Sequence, residues 1–373
     1  MKRLFFAFVV IVLLAGCAGA DIFPAIGSKM SNPITVAVDS ATARLYVVNS
    51  DYKVSYSGGS VHVVDISDHA SPKMVDYAEI PAFSGQVYVN VSERLLYMPN
   101  RAGGGAVSNL FRFNVDEESD AFLQRTTFTT GSSPYGIACC DASNRMFVVS
   151  QGGTIDYYLI DEDMGHRSLS LTTRLSTGVT ISGSGALRAA IHGTQLIVTR
   201  ASEGIWIIAL DKLGAAGEQP IDYFIYDISS PRGVVSDGTY VYVSAVENNK
   251  PVLYVLDISS LAPRIGNSDT ELVSREDDNI LVASIELATG SNPQGVVVGD
   301  GAVYISDFDN GRVFVVDLAT YAVSTNIQVG VEPYEMAIYR PAGVATHLAV
   351  ANSGSNNISI IDLGTNKVIA TYP

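Results

Sequence analysis

A unit of about fifty residues recurs seven times along this chain, and this repeat limits the possible folds more than any other feature. Each unit contains short runs of β-branched residues separated by Gly, Asn, Ser or Pro, the pattern of a meander of short strands. Two irregular units begin near Gln86 and Ser184. The other five each begin at a proline: Pro33, Pro134, Pro231, Pro293 and Pro333.

Repetition of a small β unit predicts a radial arrangement. The last unit shows its four strands most clearly, at 333–338, 347–352, 357–363 and 367–372. One such sheet cannot bury both of its faces, and its edges would be free to pair with other chains. Stacking seven sheets around an axis solves both problems, so we predict an all-β fold, a seven-bladed β-propeller of four-stranded antiparallel blades. A β-sandwich is the alternative, but it does not explain the repeat.

Several repeats share a common sequence pattern. Residues 349–362 read AVANSGSNNISIID, residues 45–49 read LYVVN, and residues 61–65 read VHVVD. In these residues the chain resembles the YVTN-repeat family of seven-bladed β-propellers. The resemblance covers nearly all of the mature chain and implies the propeller fold. It implies no single function, because the family includes surface proteins, periplasmic binding proteins and propellers attached to enzymes.

The N-terminus has the pattern of a bacterial lipoprotein signal. Lys2 and Arg3 precede an apolar run of eleven residues, which as a helix would be about 16 Å long and too short to cross a membrane. The sequence then reads LAGC, ending at Cys17, and resembles the lipobox at which such signals are cleaved before an acylated cysteine. An ordinary secretory signal with an incidental cysteine is the alternative.

These features predict the domain organisation and the cellular address. We expect a cleaved signal peptide at 1–16, a lipidated tether at 17–30 and a single β-propeller domain at 31–373. The address is the bacterial cell envelope, with the protein anchored to the membrane through the N-terminal lipid. Ala18 follows the cysteine, which by resemblance to enterobacterial sorting rules favours the outer membrane, with the body facing the periplasm or the cell surface.

The charge balance excludes one class of partner. The chain has 23 Lys and Arg against 38 Asp and Glu, a net charge of −15. A chain this acidic repels phosphate backbones, so we expect no nucleic-acid binding. The expected partners are an envelope protein or a polar ligand.

Sequence motifs for catalysis or cofactor binding are lacking. The five histidines fall in different blades or loops, and no zinc spacing, haem-attachment motif, phosphate loop or nucleophile elbow occurs. We therefore predict no catalytic residue, metal or cofactor. Cys139 and Cys140 are adjacent, and they are either two small buried side chains or a vicinal disulfide.

The candidate ligand-binding residues lie in the loops that, in propellers, surround the mouth of the central channel. Because equivalent positions of a repeat lie at the same radius and height, four such side chains are candidates to converge on one ligand, although solvated loop ends explain them equally well. We expect Arg232 to be the anchor for a polar or anionic ligand, unless it pairs with an acid such as Glu335. The four directly follow a repeat proline, and two arginines join them as candidates: Tyr135, Arg232, Gln294 and Tyr334, then Arg101 and Arg200.

The preferred function is that of a lipid-anchored binding or scaffold module for a protein partner or polar ligand. One alternative is a lactonase-like or hydrolase-like propeller enzyme that uses channel-mouth residues. Another is an accessory protein that docks a redox partner. A deep funnel would favour ligand binding or an enzyme, whereas a wide flat face would favour a protein partner.

The lipobox gives the first testable prediction. The Cys17→Ser variant should remain uncleaved or become soluble, because the acyl chains attach at the cysteine. Intact mass and membrane fractionation measure both properties, and a variant with Cys139→Ser and Cys140→Ser is the control that keeps Cys17. A wild-type mature chain of unmodified mass would contradict the prediction.

Overall fold

Seven antiparallel meanders of four strands follow one another along the chain, and their strands pair in the order in which they occur. One short strand, Glu271–Val273, pairs outside this order. This order arises because each strand is followed by a turn that returns the chain beside it, as in a hairpin. The sheets stand around a common axis, and the first strand of each is innermost and packs against the neighbouring sheets. The predicted all-β, seven-bladed propeller is confirmed.

The structure is a computed structural model that describes residues 24–101, 108–160, 164–215, 219–266 and 268–373. The signal peptide and Cys17 lie outside these residues. No helix in the described segments is long and apolar enough to cross a membrane. Two 3₁₀ turns occur in the described segments, at Leu210–Lys212 and Pro341–Gly343.

The strands of each blade are given from the innermost to the outermost. Blade 1 contains Pro33–Asp39, Arg44–Asn49, Gly59–Asp65 and Lys73–Ile80. Blade 2 contains Tyr88–Asn90, Leu95–Asn100, Asn109–Asn114 and Arg125–Thr129. Blade 3 contains Pro134–Ala138, Arg145–Ser150, Thr154–Leu159 and His166–Ser170. Blade 4 contains Ala186–His192, Gln195–Arg200, Glu203–Ala209 and Ile221–Ser229. Blade 5 contains Pro231–Ser236, Val241–Glu247, Lys250–Leu256 and Leu281–Glu286. Blade 6 contains Pro293–Val298, Ala302–Asp307, Arg312–Asp317 and Ala322–Gln328. Blade 7 contains Pro333–Tyr339, His347–Asn352, Asn357–Asp362 and Lys367–Tyr372.

Blade 4 departs from the predicted four strands. A long segment between the third and fourth strands of blade 5 folds back over it, and Glu271–Val273 adds a fifth strand parallel to the outer strand of blade 4. The segment also meets a small hairpin, Thr173–Arg174 with Thr180–Ile181, where the hydroxyls of Thr173 and Thr270 lie 2.5 Å apart. As a result, the outer strand of blade 4, Ile221–Ser229, is largely buried.

The hydrophobic core is divided among the seven interfaces between neighbouring blades. Side chains of a strand alternate between its two faces, so the middle strands of each blade pack against both neighbours. The cluster between blades 1 and 2 contains Val63 and Phe111, and the cluster between blades 4 and 5 contains Ile207 and Val243. Each of the seven interfaces has its own cluster.

The ring closes where blade 7 meets blade 1, and no strand is exchanged between the two sheets. An apolar cluster that includes Val47 and Ile358 fills this seam. The seam also carries hydrogen bonds from the segment that leads into blade 1. The side-chain amide of Asn32 donates to the carbonyl oxygen of Ser353 at 3.1 Å, and its backbone N–H donates to Asn356 Oδ1 at 2.8 Å.

Histidines are concentrated at this seam, at the end opposite the blade prolines. The imidazole of His69 in blade 1 lies over that of His347 in blade 7, with ring centroids 3.8 Å apart. Burial lowers the pKa of both, and for His347 the proximity of His69 lowers the pKa further. His62, buried within blade 1, has its pKa lowered by burial to about 4. The carboxylates facing the pair are Asp68 and Asp362. The negative charge of Asp68 raises the pKa of His69, and that of Asp362 raises the pKa of His347, but neither outweighs the effect of burial.

These pKa shifts predict that acid destabilises the ring. As the pH falls from about 7 towards 4, the unfolded chain binds protons at ordinary histidine pKa values while the folded state resists them, so the free energy of unfolding decreases. For His62 the loss approaches about 3 kcal/mol below pH 4. Urea unfolding at pH 7.5 and pH 5 measures the decrease.

The matched variant is His69→Gln with His347→Gln, which should lose less stability than the wild type between the two pH values. Equal losses in both proteins would show that the stacked pair does not contribute.

Candidate functional site

A cavity of about 530 Å³ opens over the central channel at the end of the ring where the blade prolines lie. Its walls come from the first residues of inner strands, from loops between second and third strands, and from connections between blades. This is the predicted location for a propeller ligand site. The lining residues are Ile34, Ser50, Tyr52, Phe83, Arg101, Ser133, Tyr135, Phe308 and Tyr334.

An irregularity in strand pairing directs two tyrosines into this cavity. In blade 3 the register shifts between Pro134 and Gly136, which leaves Tyr135 without a partner residue on the second strand. In blade 7 the register shifts directly after Pro333, which leaves Tyr334 unpaired in the same way. Such bulges bend a strand and redirect the side chain of the extra residue. The residue after a blade proline is therefore aimed at the channel mouth.

A buried ion pair closes the channel beneath the two tyrosines. Arg188 of blade 4 and Glu335 of blade 7 meet across the axis, with Nε and Nη2 of the arginine 2.7 and 2.6 Å from Oε1 of the glutamate. Arg188 Nη1 donates to the carbonyl oxygen of Arg232 at 3.0 Å, and Gln86 of blade 2 donates from Nε2 to Glu335 Oε1 at 3.2 Å. The side chains of Arg188 and Glu335 are 3% and 9% exposed. The floor of the cavity is therefore a neutral pair.

The side chains of Arg188, Glu335 and Gln86 occupy one repeat position. Arg188 and Glu335 lie two residues after Ala186 and Pro333, the first paired residues of their inner strands, and Gln86 lies two residues after Ser84, which forms an isolated bridge with Asn100 ahead of the blade 2 inner strand. At the same position blades 3, 5 and 6 have Gly136, Gly233 and Gly295, and blade 1 has Thr35. A Cβ atom on Gly136 would lie 2.6 Å from the carbonyl oxygen of Leu187 in the next blade. Small residues thus let the inner strands approach closely, and the three long ones fill the axis.

Arg188 and Glu335 are both charged at the floor of the cavity, and their charges cancel. Burial by itself lowers the pKa of Arg188, but Glu335 and then the two tyrosines outweigh it, and the pKa is raised above its usual value. The guanidinium lies 5.4 Å from the ring centroid of Tyr135 and 5.7 Å from that of Tyr334, within cation–π range. Burial, with a further contribution from Tyr334, raises the pKa of Tyr135 well above its ordinary value. Tyr135 therefore keeps its proton at neutral pH.

Three buried polar atoms of the cavity wall have no hydrogen-bond partner among the described residues. They are Ser50 Oγ, Arg101 Nε and Tyr135 Oη. Ser50 and Tyr135 are 1% and 3% exposed. The Arg101 guanidinium lies 5.6 Å from the Tyr135 ring centroid and forms no ion pair within the described segments. Since buried polar groups are normally hydrogen-bonded, these donors mark a place where a ligand can bind.

The structure brings together three of the six predicted site residues. Tyr135, Tyr334 and Arg101 line the cavity. Gln294 and Arg232 share the repeat position of the tyrosines but do not line it, and Gln294 donates instead to Asn292 Oδ1 at 2.9 Å.

Arg200 is directed elsewhere. Its Nε donates to the carbonyl oxygen of Ser184 at 3.2 Å, and its guanidinium lies over the ring of Trp206. The acid considered as a partner for Arg232, Glu335, is paired with Arg188.

Sequence reasoning missed Arg188 and the role of Glu335. The unit that contains Arg188 lacks the opening proline, so its register could not be fixed from that marker. Aligning Ala186 with the prolines of the other units would have placed Arg188 and Glu335 at one repeat position. Opposite charges at that position are a signal that the sequence does contain.

The remaining candidates for chemistry lie away from the cavity. Cys139 and Cys140 form a vicinal disulfide beyond the opposite end of the blade 3 inner strand, with Cys140 Sγ 3.7 Å from the hydroxyl of Tyr88. Within the described parts of the chain, no group of three or more His, Cys, Asp or Glu residues could hold a metal ion.

Comparison with known proteins supports the fold and leaves the family open. No protein-family model and no curated protein matches the chain. Kuenenia stuttgartiensis hydrazine synthase is similar in structure, with a TM-score of 0.66 and 16% identity over 90% of this chain and 97% of that chain. The Cps50 (Swd1) β-propeller domain of Myceliophteria thermophila has a TM-score of 0.63 and 11% identity, over 89% and 98%. At these identities the similarity shows the fold alone.

The channel ion pair predicts a stability effect. Glu335→Gln should lower the free energy of unfolding by about 3–5 kcal/mol, because it leaves the Arg188 charge buried without a partner. Arg188→Met should act similarly. Urea unfolding measures both, and Glu286→Gln is the control, because its pair with Lys250 is more than 70% exposed on both sides and should contribute less than about 1 kcal/mol. Single variants as stable as the control would contradict the prediction.

Proposed function

We propose that this chain is a lipid-anchored binding protein of the bacterial envelope, whose propeller holds a small organic anion in the cavity over its channel. The sequence resemblance to the YVTN-repeat propellers supports a role in the envelope, and the resemblance to a lipobox supports anchorage through Cys17, with the outer membrane as the favoured site. The cavity supports ligand binding in preference to a scaffold role, because it is a concave funnel with a closed floor.

The observation that carries this proposal is the convergence of three unpartnered donors on one cavity. A buried donor without an acceptor costs about 1–3 kcal/mol, so a ligand that supplies acceptors gains affinity there. The volume of about 530 Å³ falls within the range of about 300–1,000 Å³ that small-molecule sites occupy.

The charges around the cavity favour a ligand with a single negative charge. Arg188 is neutralised by Glu335 at the floor. Lys53 at the rim lies 3.4 Å from Glu332, which also accepts a hydrogen bond from Tyr52. Arg101 is then the lining cation without a counter-ion in the described segments. A guanidinium binds a carboxylate well because it can donate two parallel hydrogen bonds.

The aromatic walls favour a flat apolar body on that anion. The rings of Tyr52, Phe83, Tyr135, Phe308 and Tyr334 all face the cavity, and Phe308 meets Tyr334 edge to face with centroids 5.9 Å apart. Such rings bind planar molecules by stacking and edge contacts. The lining contributes hydroxyls and a guanidinium rather than carboxylate or imidazole groups, which suits binding more than acid–base catalysis.

The test is a matched set of probes measured by titration calorimetry: 2-naphthoate, its neutral amide and naphthalene-2,6-dicarboxylate. Wild-type protein should bind 2-naphthoate at least about tenfold more tightly than the amide, because only the anion pairs with Arg101. Arg101→Gln should remove that preference, while Arg200→Gln, which changes an arginine outside the cavity, should retain it. Tyr135→Phe should weaken 2-naphthoate binding several-fold without lowering the melting temperature of the unliganded protein, because the hydroxyl that it removes has no hydrogen-bond partner there among the described residues.

Equal affinity for the acid and the amide in the wild type would contradict the choice of an anion. Absence of binding by all three probes would contradict the proposal that the cavity binds planar organic ligands.

A further inference from the structure

The chain enters the propeller on the same face as the cavity. The carbonyl oxygen of Pro24 accepts a hydrogen bond from the backbone N–H of Ser57 at 3.0 Å, in the loop between the second and third strands of blade 1. Ile26 is 2% exposed and packs beside this loop. Tyr52 of the same loop lines the cavity. Pro24, the first described residue, therefore lies at the cavity end of blade 1 and not at the opposite end.

The distance from this point to the predicted anchor is short. Seven residue steps separate Cys17 from Pro24, and a fully extended chain spans at most about 3.3–3.6 Å per residue, or about 25 Å in total. A blade is itself about 20 Å tall, because its strands rise about 3.3 Å per residue. If Cys17 is held in a bilayer, the rim near Pro24 lies nearer to the headgroups than the opposite face does.

The rim beside the entry point has the composition of a membrane-contacting surface. Val54 and Val331 are 44% and 59% exposed. They lie on either side of the seam, joined by the contacts of Glu332 with Tyr52 and Lys53. Aliphatic, aromatic and lysine side chains together suit the interface between lipid and water, where the apolar parts enter the bilayer edge and the ammonium meets the headgroups.

A second lysine lies on the same side. Lys29 belongs to the entry segment, and its ammonium lies 5.7 Å from the ring centroid of Tyr56. In a chain with a net charge of −15, Lys29 adds positive charge beside the predicted anchor and reduces the repulsion from an anionic leaflet, whereas the charge of Lys53 is balanced by Glu332. We define the anchor-side rim by the following residues: Lys29, Tyr52, Lys53, Val54, Tyr56 and Val331.

We propose that the anchor-side rim rests on the bilayer that holds the lipid, so that the cavity opens beside the lipid headgroups. The proposal rests on the lipid anchorage included in the proposed function, and it assigns a lipid surface as the partner of this face. The opposite face, with the vicinal disulfide and the stacked histidines, is then directed away from the membrane.

The test uses the full lipidated chain reconstituted in phospholipid vesicles that contain a headgroup-nitroxide lipid. Two variants, each with one introduced cysteine, carry the same fluorophore in exposed loops of blade 1: Ser55→Cys at the cavity end and Ala70→Cys at the opposite end. The native cysteines do not react with the fluorophore, because Cys139 and Cys140 form a disulfide and the thiol of Cys17 is acylated in the lipidated chain. We expect nitroxide quenching at residue 55 to be at least about twice that at residue 70, because the two ends are about 20 Å apart. Equal quenching, or stronger quenching at residue 70, would overturn the proposal.

A second set of variants tests the rim itself. In the Ser55→Cys background, Lys53→Gln with Val54→Ser and Val331→Ser should reduce the quenching by about half. The matched control is Val344→Ser, which removes a valine of 57% exposure from the opposite face and should leave quenching unchanged. Quenching that is unaffected by the triple substitution would show that the rim does not contact lipid.

Two measurements separate this proposal from the proposed function. Intact mass establishes whether Cys17 carries lipid, and 2-naphthoate titration in detergent establishes whether the cavity binds its ligand. A lipidated, ligand-binding protein with equal quenching at both positions overturns the docking of the rim alone. A protein without lipid overturns the anchorage and, with it, the docking.

Discussion

The burial of each blade against its two neighbours is the interaction on which the rest of the structure depends. A four-stranded sheet has two apolar faces, and nothing within the blade can cover them. The seven clusters between blades therefore hold most of the hydrophobic burial, and each consists of side chains from two sheets. Because the clusters are arranged in a circle, loss of any one leaves two faces exposed. The ring is stable only when closed.

Closure places special demands on the seam between blades 7 and 1, where the two sheets belong to opposite ends of the chain. In this structure side-chain packing and hydrogen bonds across the seam replace a shared strand. The entry segment contributes through Asn32, which bonds to the chain between the second and third strands of blade 7. The described start of the chain, which follows the predicted anchor in sequence, is therefore also part of the closure.

The repeat pattern predicted the fold because strands and turns are specified locally. Alternating apolar residues and the prolines at strand starts lie within each unit and can be read without knowledge of the neighbours. The channel ion pair could not be found this way, since Arg188 and Glu335 are 147 residues apart in sequence and belong to blades on opposite sides of the ring. The fifth strand of blade 4 was missed for a similar reason, because Glu271–Val273 belongs to a blade 5 segment without a repeat counterpart. A cavity opens at the predicted channel mouth, and of the six candidate residues Tyr135, Tyr334 and Arg101 line it.

The departures from the repeat are therefore the most informative part of the sequence. A perfect repeat would place seven identical residues around the axis. If these residues were glycines, the channel would stay open. If they were charged, seven charges of one sign would repel each other. The irregular units beginning near Gln86 and Ser184 supply Gln86 and Arg188, and the last unit supplies Glu335. These substitutions break the symmetry so that opposite charges meet once and the channel acquires a floor. Residues that depart from the sequence pattern of a fold are expected at functional sites. Here they coincide with the base of a cavity whose described residues combine aromatic walls with unpartnered donors.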